Sequence, residues 1–330
     1  MQMNTPPPLR YPALMTRAPL IRQTPQGLYC PEGEFHIDPM GRVPRALITH
    51  GHSDHAARGM GSYLCTHQAL PVIRHRLGKI SAEGIAYGEQ RQIGGVTVSF
   101  HPAGHVPGSA QIRIERGGEV WVASGDYKTA PDALCEPFEA VRCHTFLTET
   151  TFGLPIFQWQ SEAWVMGQIA RWWQDNAARG VVSVLLAYSF GKAQRLMAGL
   201  AGIGPICTHP VVEAVTDILR HQGYALPPTL VVNGAPPQGA LVIATPNAMA
   251  SDWAMGLGPH EVAAASGWMA LAVRRKGTGA AFVLSDHADW AGLNAAVSAT
   301  GAEQVYTMHG YKGPYAAWLR SKGLSAEAMS

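Results

Sequence analysis

A chain of 330 residues, 47% hydrophobic and 15% charged, carries enough apolar material for one large or two medium globular units and excludes a wholly disordered polymer. A formal charge of +2 excludes a strong global field, so any polyanion has to be gripped by local patches. No apolar run approaches the ~20 residues of a membrane-spanning helix, and the Pro-rich opening from Met1 to about Pro25 lacks the core of a secretory signal. Cys30, Cys65, Cys135, Cys143 and Cys207 are scattered without a CxxC pair, which argues for reduced core thiols rather than disulfides or a cysteine zinc site. No membrane association is expected, and the cytoplasm is the expected location.

In chain order, an extended or disordered segment over residues 1–25 precedes a strand-rich stretch. Short apolar runs between Gly, Pro and charged turns predict strands at Gly27–Cys30, Phe35–Asp38, Arg45–Thr49, Val96–His101, Ala110–Ile114, Val120–Ser124 and Thr145–Thr148, with a helix near His67–Leu77. Helical spacing takes over from Ser161 to Ala178, with Trp164, Ile169 and Trp172 on one side. A strand at Val181–Ala187 follows, then a helix opened by Ser189-Phe190-Gly191-Lys192, a strand at Ile206–Thr208, a helix at Val211–His221 and a strand at Leu241–Ala244. Loops are expected around Leu226–Gly239 and Gly256–Pro259. Runs at Ala281–Ser285 and Gln304–Met308 each end near a histidine, with a helix at Trp290–Ala299 between them. The alternation predicts an α/β protein with a parallel sheet.

Among these elements, His50-Gly51-His52-Ser53-Asp54-His55 stands out, because four metal-ligating side chains directly follow a strand. In an extended segment alternate side chains share a face, so His50 and His52 can hold one ion while Asp54 and His55 face a second. Single candidates follow three other strands: His105 in HPAGH, Asp126 in SGDYK and His309 after VYTM. The strand ends of an α/β sheet converge on one edge, where these residues can meet the cluster. The assignment that serves two ions gives His50, His52 and His105 to one, Asp54, His55 and His309 to the other, and makes Asp126 the bridge. Imidazole and carboxylate without thiolate suit zinc, with manganese or nickel also compatible.

Asp38, at the end of Phe35-His36-Ile37, reads either as a carboxylate that orients a ligand histidine or as a turn residue before Pro39. Glu149 and His287 also follow strand-like runs and are not needed to complete the metal spheres. A histidine kept protonated by a neighbouring carboxylate can donate a proton to a leaving oxygen.

This set of residues resembles the metallo-β-lactamase fold and, within it, the β-CASP nucleases, the group of RNA 3′-end cleavage enzymes and Artemis- and Apollo-like DNA repair nucleases. Asp38, the HGHSDH cluster, His105 and Asp126 are similar to the four lactamase-fold motifs in order; Glu149 in LTETTFG, His287 in LSDHADW and His309 in MHGYKG are similar to the three added β-CASP motifs. FHIDP, ALITHGHSDHA, YSFGKAQRL and VLSDHADW resemble the bacterial ligase-associated DNA exonucleases in particular. The resemblance implies an αββα sandwich from residues 26–155 and 275–330, with an inserted α/β cap over 156–274. It also implies a DNA ligase and a helicase as working partners. His309 departs from the eukaryotic DNA-cleaving members, which carry an aliphatic residue there, and matches the RNA-cleaving ones.

The implied reaction is hydrolysis of a DNA phosphodiester at single-stranded ends. Two metals generate the attacking hydroxide, Asp126 fixes their spacing, and His287, supported by Glu149, protonates the departing 3′ oxygen to leave a 5′-phosphate. Ser189, Gly191 and Lys192 at a helix start are candidate phosphate contacts, or simply an N-cap. Ser109 beside Gly108, and Thr150 beside Thr151, are further donors. Lys128 and the run Arg274-Arg275-Lys276 are candidates to track the strand's backbone. Trp159, Trp164, Trp172 and Trp173 are candidates for base stacking, with helical spacing favouring a core role for most of them. The competing readings are an RNA-processing ribonuclease, a small-molecule lactam or thioester hydrolase, and a catalytically silent nucleic-acid scaffold.

Overall fold

The computed structural model describes residues 18–272 and 280–329. Residues 1–17 and the basic run Arg274-Arg275-Lys276 therefore lie outside the described residues. Six short strands come first: β1 Arg22–Thr24, β2 Gly27–Cys30, β3 Phe35–Ile37, β4 Arg45–Leu47, β5 Ser62–Thr66 and β6 Ala82–Ile85, with helix α1, Leu70–Leu77, before the last of them. They form one sheet in chain order, antiparallel from β1 to β3 and parallel from β3 to β6. A second sheet is built from β7 Arg91–Ile93, β8 Val96–Pro102, β9 Ala110–Arg116, β10 Glu119–Ala123 and β11 Thr145–Glu149.

The chain then leaves for a separate sheet. Helix α2, Glu162–Ala178, leads to β12 Val182–Leu186, α3 Lys192–Gly199, β13 Ile206–Thr208, α4 Pro210–His221, β14 Leu230–Val231, β15 Leu241–Ala244, β16 His260–Ala265, the short α5 Met269–Ala272 and β17 Ala281–Phe282. These strands pair in the order β14-β13-β15-β12-β16-β17, every neighbour parallel. After α6, Trp290–Thr300, the chain returns to the second sheet as β18 Gln304–Met308, followed by α7 Lys312–Ser321 and β19 Ser325–Ala328. The α/β class and the parallel sheet expected from the alternation are present. Strands β1, β5, β6, β7, β14, β16 and β19 and helices α5 and α7 were not among the sequence expectations, and β14 lies within the stretch Leu226–Gly239 that was expected to be a loop, held extended there by its pairing with β13.

Strand alternation explains the layering. In β10, Trp121 and Ala123 face the core between the first two sheets, where they meet Leu28, Ile37 and Leu47, while Val120 and Val122 face the other way onto α6 and α7. The outer face of the first sheet is covered by α1 through Ile73 and Leu77. The order is thus helix, sheet, sheet, helix. Phe100 and Phe146 are fully buried in these layers, each contributing about 1.5–3 kcal/mol of apolar burial.

The third sheet has its own core, with α2 and α3 on one face and the segment around Ala248 and Leu257 on the other. Helix α2 is N-capped by Ser161, where the helical spacing begins, but its buried stripe is Val165, Met166, Ile169, Trp173 and Asn176. Trp164 falls off that stripe and faces solvent instead. A smaller apolar group, Val72, Val106, Phe190, Val215 and Leu219, joins this unit to α1 and to the loop after β8. Among the described residues no helix is long and apolar enough to cross a membrane. Cys30, Cys65, Cys143 and Cys207 are buried free thiols, with Cys135 half-buried.

Candidate metal centre

Seven of the residues singled out by sequence lie at a strand end or in the loop that follows one. His50 follows β4, His105 follows β8, Asp126 follows β10, Glu149 ends β11 and His309 follows β18; Asp38 follows β3, and His287 comes after β17 of the third sheet. Parallel pairing of β10, β11 and β18 delivers Asp126, Glu149 and His309 to one edge in register. Two of the three non-glycine residues with left-handed backbone among the described residues, Asp38 (φ 44°) and His309 (φ 56°), are in this set. Such conformations cost free energy and concentrate where a side chain must be aimed.

Three groups of ligand atoms each converge to within 4.8 Å: His50, His52, His105 and Asp126; His55, Asp126 and His309; and Asp126, Glu149 and His287. Asp126 belongs to all three. Its Oδ2 lies 3.3 Å from His55 Nε2, 3.7 Å from His50 Nε2, 3.8 Å from His105 Nε2 and 4.0 Å from His287 Nε2. Asp54 is not drawn into these groups; its carboxylate is 72% exposed and 3.8 Å from His55 Nε2. A loop residue facing water needs a bound cation, or a small rotation, to come closer.

Hydrogen bonds to groups that can only accept fix which nitrogen is free to ligate. His105 Nδ1 donates to the Asp286 carbonyl at 2.7 Å, and His52 Nε2 donates to the Phe190 carbonyl at 3.2 Å. This leaves His105 Nε2 and His52 Nδ1 as lone pairs, and they face each other at 3.1 Å. His50 Nε2 also stands 3.1 Å from His52 Nδ1. Burial pushes His50, His52 and His105 below the usual histidine range, keeping them neutral, the form that binds a metal. Three neutral imidazoles converging with a carboxylate fit a divalent cation.

The second group has a different charge state. Burial opposes protonation of His55, but the carboxylates of Asp126 and Asp38 outweigh it and raise His55 well above its ordinary range. His55 Nδ1 donates to Asp38 Oδ2 at 2.7 Å, and Asp38 is itself anchored by the backbone N–H of Thr49 at 2.8 Å and its hydroxyl at 2.5 Å. Asp38 therefore orients His55 rather than ending a simple turn. His55 Nε2 faces Asp126 Oδ2 at 3.3 Å, and a cation held between them would displace the proton that the two carboxylates favour there. Gly125 allows the close fit: at φ 56°, an added Cβ would lie 2.7 Å from the Thr49 side chain.

His287 faces the site from the third sheet's side. Its Nδ1 lies 2.9 and 3.0 Å from the two Glu149 oxygens. Burial opposes its charge, yet Glu149 and Asp126 together raise it to about 9. Glu149, 1% exposed, also accepts the backbone N–H groups of Tyr127 and Thr151.

Most of the expected phosphate contacts are engaged within the protein. Lys192 is 2% exposed, and its ammonium is bound by Asp286 Oδ2 at 2.7 Å and the Leu284 carbonyl at 3.0 Å. Lys128 is equally buried against Asp132. The Gly191 N–H is taken by the Gln194 side chain, the Ser109 hydroxyl accepts from His105 N and Val106 N, and the Thr150 hydroxyl donates to the carbonyls of Met308 and His309. Ser189 is half-buried and borders the cleft. Trp159 donates to the His287 carbonyl, Trp173 is buried in the α2 core and Trp172 packs against the same core.

A buried ion network that the sequence did not reveal replaces those contacts. Asp286 receives Lys192 and, at 3.0 Å, Arg195; Arg195 reaches Glu162 at 2.8 Å and Asp132 at 3.4 Å. Burial alone would raise the Asp286 carboxyl, but the two cations hold it well below the usual carboxylate range. Through its carbonyl, Asp286 also fixes His105. The network ties α2 and α3 to the loop that carries His287. Around the site opens a cleft of about 980 Å³, with Arg76, Tyr188, Thr151 and Trp268 on its walls.

No family model matches the chain. A protein of Opitutus terrae named a probable DNA ligase is 33% identical over 310 residues, covering 92% of this chain and 30% of that protein. The chain thus spans about 30% of the length of this curated relative. A solved structure of a protein of unknown function from Enterococcus faecalis V583 superposes with a TM-score of 0.59 at 11% identity, over 87% of this chain and 79% of that one. The likeness is one of fold.

Replacing Asp286 by Asn leaves Lys192 and Arg195 buried without their shared anion. Asp286→Asn is expected to lower the unfolding free energy by about 3–5 kcal/mol in urea denaturation. An unchanged midpoint would mean the network carries no stabilising charge pairing.

Proposed function

We propose that this chain is a metal-dependent nuclease that hydrolyses DNA phosphodiester bonds, acting as an exonuclease on single-stranded ends and leaving 5′-phosphates. The reading makes it a β-CASP member of the metallo-β-lactamase fold, with residues 26–155 and 275–330 as the catalytic unit and 156–274 as its cap. The observation that carries it is the sharing of Asp126 by two histidine groups, with the ion-paired His287 and Glu149 beside them. The Opitutus relative, named a probable DNA ligase, supports a DNA-processing enzyme and a role beside ligation. Zinc suits the donor set best, with manganese and nickel also compatible.

Two divalent cations, when bound, supply Lewis acidity and a water nucleophile of lowered pKa. His50, His52, His105 and Asp126 would hold one, and His55, Asp126 and His309 the other, with Asp54 at its edge. The rest is done by side chains. Asp38 keeps His55 aimed at Asp126, and the Asp286 carbonyl does the same for His105. Glu149 keeps His287 protonated at neutral pH, with Nδ1 occupied and Nε2 turned to the site, where it can donate to the departing 3′ oxygen. Arg76, half-buried on the cleft wall, is a candidate phosphate contact in place of Lys192. A ribonuclease is the second reading, favoured by the histidine at position 309.

The pH dependence follows from the sign of the His287 shift. A general acid loses activity as pH rises through its pKa, and the Glu149 charge raises that pKa. Glu149→Gln is expected to move the alkaline limb of the kcat profile to lower pH, whereas His287→Ala should keep its metal yet lose about 10²–10⁴-fold in turnover. Loss of metal from His287→Ala, measured by elemental analysis, would make it a ligand instead.

Substrate class is tested with matched single-stranded DNA and RNA oligonucleotides, each bearing 5′-phosphate or 5′-hydroxyl, before and after chelation. The expected result is metal-dependent shortening of end-labelled DNA. Cleavage of RNA alone would favour the second reading, cuts in circular single-stranded DNA would contradict exonuclease action, and no cleavage of either polymer would overturn the proposal.

A further inference from the structure

Two large aromatic side chains on the cleft walls remain exposed: Tyr188, 57%, and Trp268, 39%. Both lie at the mouth of the third-sheet unit, Tyr188 between β12 and α3, and Trp268 between β16 and α5. Neither the Tyr188 hydroxyl nor the Trp268 indole N–H has a hydrogen-bond partner among the described residues. Exposed Trp164, by contrast, lies on α2 and does not line the cleft.

The two rings end a continuous line of ring contacts through the metal centre. Tyr188 lies 6.3 Å from His52, His52 5.0 Å from His105, His105 4.7 Å from His287, His287 5.8 Å from Phe152, and Phe152 4.8 Å from Trp268. One aromatic thus borders a ligand candidate of the first metal group, and the other is separated from the proposed proton donor by Phe152 alone. Phe152 is 1% exposed and packs edge-on against Phe157, giving Trp268 a rigid backing. Tyr188 is held by its chain: the Ala187 N–H donates to the Ala244 carbonyl and the Ala193 N–H to the Tyr188 carbonyl.

We infer that Tyr188 and Trp268 form a pair of base-stacking sites that grip the unpaired nucleobases flanking the scissile phosphate of single-stranded DNA. This rests on the phosphodiesterase reading above. A polynucleotide strand carries both groups the cleft asks for, an anion for the metal groups and flat apolar faces for the two rings. Every base offers a π-face, so such contacts hold a strand without reading its sequence. Duplex DNA has its base faces already stacked on one another, and only a strand opened at its end can offer them. The sites also account for a mildly basic chain acting on a polyanion: part of the grip is apolar rather than ionic.

The test compares kcat and KM for a 5′-phosphorylated single-stranded oligodeoxynucleotide with those for the same strand carrying stable abasic residues in its terminal positions. The wild type is expected to prefer the intact strand by about tenfold in kcat/KM, and Tyr188→Ala or Trp268→Ala to bring that ratio towards one through KM. Tyr188→Phe and Trp268→Phe should restore most of the preference, because they keep an aromatic face. Equal KM for the intact strand in wild type and both alanine variants would overturn the stacking sites while leaving the nuclease reading intact. A wild type that hydrolyses neither strand would overturn the nuclease reading itself and the stacking sites with it. Loss of preference in the phenylalanine variants equal to that in the alanine variants would also contradict stacking.

Discussion

The Asp126 carboxylate is 6% exposed and has imidazole nitrogens of His55, His50, His105 and His287 within 4.0 Å of one oxygen. Burial disfavours its charge, yet the positive character of His55 and His287 holds its pKa well below the ordinary range. An anion in that position is tolerable only because cationic partners surround it, and the rest of the centre follows from that need. Two of those partners carry the charge, His55 with a proton where a cation would sit and His287 held charged by Glu149, while the lone pairs of three neutral imidazoles converge beside the carboxylate and need a cation between them and it. A divalent cation satisfies the same carboxylate with greater charge density.

The layers explain how that anion comes to be buried at all. Strands β10, β11 and β18 run parallel and end together, so Asp126, Glu149 and His309 leave the sheet at the same edge. The third-sheet unit then closes over them. Apolar contacts from Phe190, Val215 and Leu219 to Val72 and Val106 join the two parts, and the Lys192, Arg195 and Asp286 network fixes their approach. Gly191 is required at this joint, since an added Cβ would lie 2.3 Å from Val106. His105, a candidate ligand, depends on the same network through the Asp286 carbonyl, so the third-sheet unit and the centre are mechanically one object.

What the sequence disclosed has a physical pattern. The histidines of HGHSDH were legible as candidate ligands because local chain geometry sets them, whereas Asp54 stays outside the converging groups; His105, Asp126, Glu149 and His309 were legible because each follows or ends a strand of strong apolar pattern. Asp38 was left open between two roles, which only the Thr49 and His55 hydrogen bonds decide. Lys192 read as a free cation because nothing in YSFGKAQRL reveals a partner almost a hundred residues away; the aspartate beside His287 was the available signal. Tyr188 and Trp268 were hidden for the same reason, since exposure of an aromatic within a cleft is a tertiary property. Short strands such as β7 and β19 escaped because sheet partners, rather than their own alternation, hold them extended.

The most direct test of the central claim is the metal content of the protein, by elemental analysis after incubation with zinc and removal of excess ion, alongside Asp126→Asn. The account predicts two tightly held divalent ions per chain in the wild type and a clear loss when the shared carboxylate is neutralised. A wild type that retains none, or an Asp126→Asn variant that retains both, would contradict it.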